Sequence, residues 1–260
     1  MGIQWFLTPV RRPDAGVRLF CLPHAGAPAA VYRDWGRALP AWIEAHGVQL
    51  AGRGWRLSEP PSADLAEMAS DVAREILAHG RAPVALFGHS MGAWLGLEVA
   101  RHLEAAGAEP IGLFASVRQA PSLGNTHAPL GHLDADGFLS RIQALYGGIP
   151  PEIMADRDML ELVLPAVRAD VRALEGHRHE PEPRLSCPLI AFGGRSDPLV
   201  PPEHLRPWSE ETLGPFALQT FEGGHFYLDE RPTAVLAALT GWIEVLGEAR
   251  AEPMRAVGGV

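Results

Sequence analysis

The chain has no lysine, only two cysteines and no long hydrophobic run. All 22 basic residues are arginine, a composition that fits a GC-rich genome better than a specialised arginine site. The formal net charge of −9 argues against nucleic acid as a partner. No segment approaches the roughly 18 consecutive apolar residues of a membrane span. The sequence therefore predicts a protein that binds neither nucleic acid nor a membrane.

The two cysteines and the first residues of the chain indicate its compartment. Cys21 and Cys187 both lie in apolar, strand-like runs, where a free cysteine behaves as a small hydrophobic residue. Residues 1–12 contain no apolar segment followed by a small-residue cleavage site, so we expect no secretion. In the cytosol a disulfide between the two cysteines is not expected. We therefore predict a cytoplasmic protein with two free thiols.

Apolar runs and helical stretches alternate along most of the chain. At 260 residues the chain is long enough for one well-buried α/β domain. The alternation is typical of a mostly parallel central sheet with helices on both faces. Apolar spacing predicts a helix over residues 64–79, and Pro232 introduces a closing helix over 233–246. The predicted strands are Val17–Leu22, Val48–Ala51, Val84–Phe87, Gly112–Ser116, Leu189–Phe192 and Ala217–Phe221.

One long segment, residues 120–174, breaks the alternation. It has no strand pattern, and helices are predicted around Phe138–Tyr146, Pro151–Met154 and Met159–Leu174. A helical insertion between two strands is typical of a lid over a substrate pocket, although a surface insertion without function is the alternative. We predict an α/β core, residues 1–119 and 175–248, a helical lid, residues 120–174, and a flexible tail, residues 249–260.

The segment Gly88–Gly92, Gly-His-Ser-Met-Gly, directly follows the apolar run that ends at Phe87. A Gly-x-Ser-x-Gly sequence between a strand and a helix exposes a nucleophilic serine on a tight turn. Bulky residues beside the serine would clash in that turn, so glycine is needed on both sides. The five-letter pattern alone is weak, but here a strand precedes it and a helical pattern follows it. Ser90 is therefore the predicted nucleophile.

A serine hydroxyl needs a general base, and the base needs an orienting acid. In the α/β-hydrolase fold the acid follows a later strand and the histidine follows the last one. Asp197 lies in a Gly/Pro-rich loop after one predicted strand, and His225 lies in a Gly-Gly-His loop after the last. The pair therefore completes a predicted catalytic triad with Ser90. The rivals are Asp229 as the acid and His177, His179 or His204 as the base, but their positions in the chain fit less well.

The chemistry also needs two hydrogen-bond donors for the oxyanion that forms when the carbonyl is attacked. The backbone N–H of Met91, the residue after the nucleophile, is one predicted donor. The second is expected from the loop after the first predicted strand, where Ala25 is the choice and Gly26 remains the alternative. His24 and Gly26 are also candidates for substrate contact. His89 is expected to pack beneath the turn rather than take part in catalysis.

Several longer motifs resemble the type II thioesterases, the editing enzymes that accompany polyketide and nonribosomal peptide synthases. The resemblance covers residues 18–246 and is more specific than the serine pattern, because its motifs differ from those of general esterases. The matching segments occur in the expected order. They are Leu22–Gly26, Ala51–Pro60, Phe87–Gly92, Leu164–Asp170, Gly193–Pro198 and Gly223–Phe226.

This resemblance implies an α/β-hydrolase fold and hydrolysis of acyl thioesters on the phosphopantetheine arm of acyl or peptidyl carrier proteins. Ser90, Asp197 and His225 match the family's triad, and Met91 with Ala25 matches its oxyanion hole. No metal or redox cofactor is implied, because the phosphopantetheine belongs to the substrate. The resemblance also places Arg168 and Asp170 on a lid helix, in a position that we interpret as structural.

Docking of a carrier is expected to depend on local features, because carriers are typically acidic and this chain carries −9. Arg53 and Arg56 are candidates for a docking rim, with a solvated loop as the favoured alternative. We expect a monomer. The acyl chain length and the cognate synthase stay open.

Three alternative functions fit the same motifs. One is a serine esterase or lactonase that acts on small free esters. Another is a carrier-binding partner without turnover, against which the complete triad argues. The third is a variant of the fold that performs acyl transfer or cyclisation, since a fold does not fix its chemistry.

Overall fold

The computed structural model describes residues 3–80, 82–125, 128–147 and 149–257. In this part of the chain seven strands form a single sheet. They are β1 (Phe6–Leu7), β2 (Val17–Leu22), β3 (Ile43–Val48), β4 (Val84–His89), β5 (Gly112–Ser116), β6 (Leu189–Gly194) and β7 (Phe216–Phe221). Their order in the sheet is β1-β3-β2-β4-β5-β6-β7. Of these strands, only the edge strand β1 is antiparallel to its neighbour, and the other pairs are parallel.

Helices cover both faces of the sheet, as parallel strands require when both of their faces are apolar. The helices are α1 (Trp35–Ala38), α2 (Leu65–Ala78), α3 (Met91–Ala105), α4 (Ala135–Tyr146), α5 (Pro151–Ala155), α6 (Arg157–Gly176), α7 (Pro202–Leu205), α8 (Tyr227–Glu230) and α9 (Pro232–Val257). Helices α2 and α3 pack on one face around Trp94 and Trp208, and α1 and α9 pack on the other around Phe87 and Phe114. This arrangement confirms the predicted α/β-hydrolase architecture.

Helices α4, α5 and α6 lie between β5 and β6, within the segment whose helices the apolar spacing predicted. Together with the loops that join them, they have an apolar cluster of their own, separate from the two clusters beside the sheet. The C-terminal end of α6 reaches the main core, where Ala173 and Leu174 join the cluster around α2 and α3. The segment is therefore a small helical layer attached to the core through one long helix. Its buried residues are Leu130, Phe138, Leu139, Ile142, Ile149, Val167 and Val171.

The strand predicted at Val48–Ala51 is wrong, because β3 occupies Ile43–Val48 instead. Two polar residues in that strand, Glu44 and His46, obscured its apolar pattern. Both are buried, and both have partners: the N–H of Arg12 donates to Glu44 Oε1 at 2.6 Å, and Thr8 Oγ1 lies 2.9 Å from His46 Nδ1. A buried strand can carry such residues when their hydrogen bonds are made.

The C-terminal end also differs from the prediction. Helix α9 continues to Val257, so it runs through most of the segment predicted to be a loose tail from residue 249. Residues 258–260 lie outside the described residues.

Cys21 and Cys187 are free and buried, and burial raises the pKa of both thiols. Within the described ranges, no helix has both the length and the apolarity needed to cross a bilayer.

Candidate active site

Ser90 lies on a strained turn between β4 and α3. Its φ of 54° and ψ of −115° place a non-glycine residue in a region that L-residues rarely adopt. A Cβ built on Gly88 would lie 1.9 Å from the carbonyl oxygen of Gly92, and one on Gly92 would lie 2.2 Å from that of Leu22. Both contacts are with backbone, so neither glycine can be replaced without moving the turn. The tight turn predicted from the five-letter pattern is present.

The structure brings the three predicted triad residues into one hydrogen-bonded line. His225 Nε2 lies 3.1 Å from Ser90 Oγ, and His225 Nδ1 lies 2.8 Å from Asp197 Oδ2. The side chain of Asp197 is fully buried in the loop after β6, and its Oδ1 accepts the N–H groups of Leu199 and Val200. An ionised carboxylate only accepts, so Nδ1 carries the proton and Nε2 is free to accept the serine proton.

The rival residues take no part in this line. Both ring nitrogens of His225 are already engaged, by Asp197 and Ser90, and Asp229 is exposed. Partial desolvation of its carboxyl, followed by the charge of the neighbouring Glu230, raises the pKa of Asp229. His177 and His179 lie beside Glu98 and Glu211, with nitrogen-to-oxygen distances of 3.6 and 3.1 Å.

A second polar layer lies beneath the serine turn. His89 is almost completely buried, with Nδ1 3.0 Å from Ser116 Oγ, and that hydroxyl lies 2.8 Å from the hydroxyl of Tyr227. Burial, with smaller contributions from His225 and His24, holds the pKa of His89 well below 6.5. His89 is therefore a neutral packing residue beneath the turn, as its position in the sequence suggested.

The loop after β2 lies beside Ser90 and holds the candidate oxyanion donors. The N–H of Gly26 donates to Asp170 Oδ2 at 2.6 Å, so this donor is already used. Across the described residues, the N–H groups of Ala25 and Met91 have no acceptor within the protein. Gly26 has a φ of 76°, and a Cβ there would lie 2.5 Å from Val167 Cγ2 on α6. Helix α6 thus packs directly on this loop.

Asp170 of α6 also forms a buried ion pair that no sequence motif predicted. Both of its carboxylate oxygens bind the guanidinium of Arg53, with Nη2 2.8 Å from Oδ1, and the two side chains are 5% and 0% exposed. Arg53 is therefore neither a rim residue nor a solvated one. The motifs Gly-Arg-Gly and Arg-Ala-Asp contain the two partners, but Arg53 and Asp170 are 117 positions apart, so neither motif alone indicates the ion pair.

The prediction for Arg56 is wrong for a similar reason. Its guanidinium lies 3.8 Å from the centre of the Trp5 ring, donates to the carbonyl of Gln49 and pairs with Glu59. Only 5% of the residue is exposed. Its contacts stabilise the loop after β3 and leave the guanidinium little surface for a partner.

An apolar cavity opens at the triad and extends beneath the helical segment. Ser90 and His225 line it together with His24, Ala25 and Phe226. Burial, followed by the charges of His225 and Arg53, lowers the pKa of His24 to about 4, so this side chain is neutral near pH 7. The cavity wall also includes a polar group, Arg118, Asn125, Tyr146 and Glu175, and an apolar group, Leu130, Ile142, Ile149, Val167, Val171 and Leu174.

Among the described residues, one group has the donor types of a metal site, namely Glu44, His46 and His79. None of the three lines the cavity at Ser90. Burial lowers the pKa of both histidines, to about 4 for His46, so their rings are neutral. However, Arg18 Nε lies 4.0 Å from Glu44 Oε2 and brings a positive charge to the carboxylate that a cation would need. In the described part of the chain, no such group of donors is found at the triad.

Comparison with known proteins identifies the family. A family profile described as "Thioesterase domain" matches residues 17–243. The thioesterase PikA5 of Streptomyces venezuelae is 40% identical over 223 residues, which are 84% of this chain and 78% of that protein. The type II thioesterase BorB from the borrelidin biosynthetic cluster has a solved structure with 39% identity and a TM-score of 0.84, covering 92% of this chain and 97% of BorB.

A third relative has a different kind of name. Linear gramicidin dehydrogenase LgrE of Brevibacillus parabrevis is 35% identical over 245 residues, 93% of each chain. The sequence contains no Gly-x-Gly-x-x-Gly fingerprint of a dinucleotide-binding loop, so this similarity carries no dehydrogenase assignment.

The family match, the relatives and the serine turn agree. The chain belongs to the thioesterase family of serine hydrolases, and within it to the type II thioesterases of polyketide and nonribosomal peptide pathways.

Proposed function

We propose that the protein hydrolyses acyl thioesters carried on the phosphopantetheine arm of acyl or peptidyl carrier proteins. Ser90 is the nucleophile, His225 the general base and acid, and Asp197 the residue that orients the histidine. The observation that carries the proposal is the hydrogen-bonded line from Ser90 through His225 to Asp197 at the mouth of an apolar cavity. An activated serine beside an apolar chamber suits transfer of an acyl group from a thiol.

The reaction would proceed in two halves. Ser90 Oγ attacks the thioester carbonyl while its proton passes to His225 Nε2, giving a tetrahedral oxyanion. Collapse of this intermediate breaks the carbon–sulfur bond, and the proton on Nε2 passes to the departing sulfur. The acyl group is then an ester of Ser90. A water that loses its proton to His225 attacks this ester and releases the free acid and the serine hydroxyl.

Two backbone N–H groups would stabilise the oxyanion, those of Met91 and Ala25. Both face no acceptor within the described protein, whereas the N–H of Gly26 is bonded to Asp170. A donor that is already bound would have to break a charge-assisted hydrogen bond before it served the oxyanion. This favours Ala25 over Gly26, and it gives Gly26 a role in holding the loop. Removing one donor of such a pair typically costs a factor of about 10² to 10³ in kcat.

The helical segment over residues 120–174 would act as the lid of the acyl chamber, because most of the apolar wall comes from it. The reaction as proposed needs only side chains, backbone N–H groups and water, and the phosphopantetheine arrives with the substrate. With Arg53 and Arg56 buried, a carrier would dock on other local features of the entrance rather than on these arginines. We also propose that the enzyme acts as a monomer.

Mass spectrometry of carriers loaded with different acyl groups, before and after incubation with the enzyme, tests the proposal. Deacylation by the wild type and its loss in Ser90→Ala are expected. Simple alkyl esters with the same acyl groups are the matched alternative substrates, and clearly faster hydrolysis of these esters would contradict the thioesterase assignment. Carrier binding without deacylation by the wild type would instead support the non-hydrolytic alternative.

A further inference from the structure

Arg118 places a buried positive charge in the wall of the acyl cavity. It lies just after β5 and is 3% exposed. The residue before it, Val117, has a φ of 44°, which is rare for a β-branched side chain and indicates a strained turn. Two tryptophans fix the backbone here, since Trp208 Nε1 donates to the carbonyl of Arg118 and Trp94 Nε1 to that of Gln119. The fold thus holds this arginine in place at the cost of local strain.

The contacts of the guanidinium leave its charge uncompensated. It lies 4.0 Å from the centre of the Trp94 ring, donates to Asn125 Oδ1 at 2.5 Å and bonds to the hydroxyl of Tyr146. All three partners are neutral. Nε is buried and has no hydrogen-bond partner, and within the described residues no carboxylate lies within ion-pair distance of Arg118. A buried cation without a counter-charge is costly unless another group supplies electron-rich oxygen.

Among the described residues that line the cavity, the one carboxylate is that of Glu175, and it is held by backbone groups. Its two carboxylate oxygens accept the backbone N–H groups of Leu130 and Gly131, at 2.5 and 3.3 Å. Burial of the Arg118 guanidinium lowers its pKa, which reflects the free-energy cost of keeping this charge away from water. The cavity therefore has one polar region with hydrogen-bond donors to spare in an otherwise apolar wall.

This polar region lies close to the triad. The ring of Tyr146 lies 5.3 Å from that of His225, centre to centre, and the hydroxyl of Tyr146 bonds to Arg118. One tyrosine side chain thus separates the guanidinium from the catalytic histidine. A short acyl group bound to Ser90 would bring the atoms beyond its carbonyl into this region.

We propose that Arg118 selects short acyl groups that carry an acceptor oxygen beyond the thioester carbonyl, as an oxo group or a carboxylate. A guanidinium has five donors and no acceptor, and Asn125 and Tyr146 do not use all five, so such an oxygen can accept from the donors that remain. This inference rests on the proposed thioesterase function and names the substrate class of the same cavity. Arg118 is then a specificity-determining residue, and an alkyl chain of equal length leaves its donors unsatisfied.

Three acyl-pantetheines of nearly equal size form the test: butanoyl, 3-oxobutanoyl and malonyl. Their kcat/KM values are compared between the wild type and Arg118→Met. The ratio of each oxygenated substrate to butanoyl is expected to fall at least about tenfold in the variant, as for loss of a hydrogen bond to a charged group. Because each ratio is compared across enzymes, the higher intrinsic reactivity of the 3-oxo thioester cancels. If only the 3-oxobutanoyl ratio or only the malonyl ratio falls, the result identifies whether Arg118 binds an oxo group or a carboxylate.

Arg168 offers a matched control, because its guanidinium also stacks on an aromatic ring, that of Phe138 at 4.5 Å, but does not line the cavity. Arg168→Met should leave the substrate ratios unchanged. If Arg118→Met does not fold, Arg118→Lys keeps the charge without the planar fork and should lower the ratios less. Equal ratios in the wild type and the Arg118 variants would overturn the proposal.

A second measurement separates this inference from the proposed function. Calorimetric binding of the three acyl-pantetheines to Ser90→Ala needs no turnover. Tighter binding of the oxygenated groups, reduced at least about tenfold by adding Arg118→Met, is expected. Turnover without any oxygen preference would leave the thioesterase function standing and overturn the role of Arg118. If the wild type shows no turnover but the binding preference is preserved, the role of Arg118 stands and the thioesterase function is overturned.

Discussion

Two buried arginines, Arg53 in the loop after β3 and Arg118 in the wall of the cavity at Ser90, are held in opposite ways. Arg53 is bound through both of its terminal nitrogens to Asp170, so its charge is neutralised within the chain. Arg118 has an aromatic face, an amide oxygen and a phenol as partners, and no carboxylate within the described residues. Similar burial with different pairing indicates different roles. The first arginine fastens helix α6 to the core, whereas the second, in our proposal, keeps donors for a ligand.

The physical reason is the cost of burying charge. A buried ion pair with good geometry recovers much of its desolvation cost, and removing either partner exposes that cost. Asp170 satisfies the N–H of Gly26 as well, so it joins three elements: the loop after β2, the loop after β3 and α6. Arg118 has no partner of opposite charge among the residues that the structure describes. The comparison therefore predicts that variants at the two sites fail differently, in stability at one and in selectivity at the other.

The largest effect is expected from Asp170→Asn. The variant leaves the Arg53 charge buried without a counter-charge and weakens the acceptor for the Gly26 N–H. The free energy of unfolding should fall by about 3–5 kcal/mol. Glu161→Gln, which removes an exposed ion pair on the same helix, is the matched control and should cost at most about 0.5 kcal/mol. Urea unfolding of the two variants measures both values, and equal losses would refute the structural role of the buried pair.

A double-mutant cycle gives the next largest effect. Arg53→Met and Asp170→Asn should each destabilise the protein, but the double variant should lose less than the sum of the two. The coupling free energy is expected to be about 1–3 kcal/mol, because the residues are in direct contact. Strict additivity in urea unfolding would show that the pair does not act as a unit.

The loss of folding stability at acidic pH should come from histidines that the fold keeps neutral, rather than from the arginines. The pKa of both His24 and His46 is about 4 in the folded protein, below the value near 6.5 of an unfolded chain. The unfolded chain therefore binds more protons between these values, and the free energy of unfolding falls as pH drops from about 6.5 to about 4. His24→Gln should decline less steeply in urea unfolding measured across this range. A decline as steep as that of the wild type would contradict the assignment.

The smallest effect is expected at an arginine that is paired but exposed. Arg195 contacts Glu222, and both side chains are more than half exposed, on the loops that carry Asp197 and His225. Arg195→Gln should change the free energy of unfolding by less than about 0.5 kcal/mol, because water screens such pairs. Thermal unfolding and kcat on an acyl-pantetheine measure the outcome. A large loss of thermal stability or of kcat would mean that this exposed ion pair also contributes to stability or activity.

Several features of the site were predictable because they are local. The turn at Ser90 requires glycine on both sides for steric reasons, and the strand and helix around it have clear apolar patterns. Asp197 and His225 follow strands in the order that the α/β-hydrolase fold uses. In a parallel sheet, loops after the carboxyl ends of strands meet at one edge, so chain order was enough to bring these residues together.

Other features depend on contacts that no local pattern encodes. β3 was misplaced because Glu44 and His46 are buried in it, and their hydrogen-bond partners come from other segments. The choice between Ala25 and Gly26 depended on which N–H Asp170 accepts, from a helix 144 residues further along the chain. Periodicity reports only how a residue relates to its near neighbours, so such partners are invisible to it.

The sequence by itself thus determined the architecture, the family and the three residues expected to perform the chemistry. Sterics at Gly88 and Gly92 and the order of the strands set the architecture and the three residues, and the longer motifs identified the family. All of these can be read along the chain. Only the tertiary structure decided what the arginines do. Whether a guanidinium is solvated, paired or waiting for a ligand depends on which groups the fold packs around it. The carboxylate that binds Arg53 and the tryptophan beneath Arg118 both come from other elements of the fold.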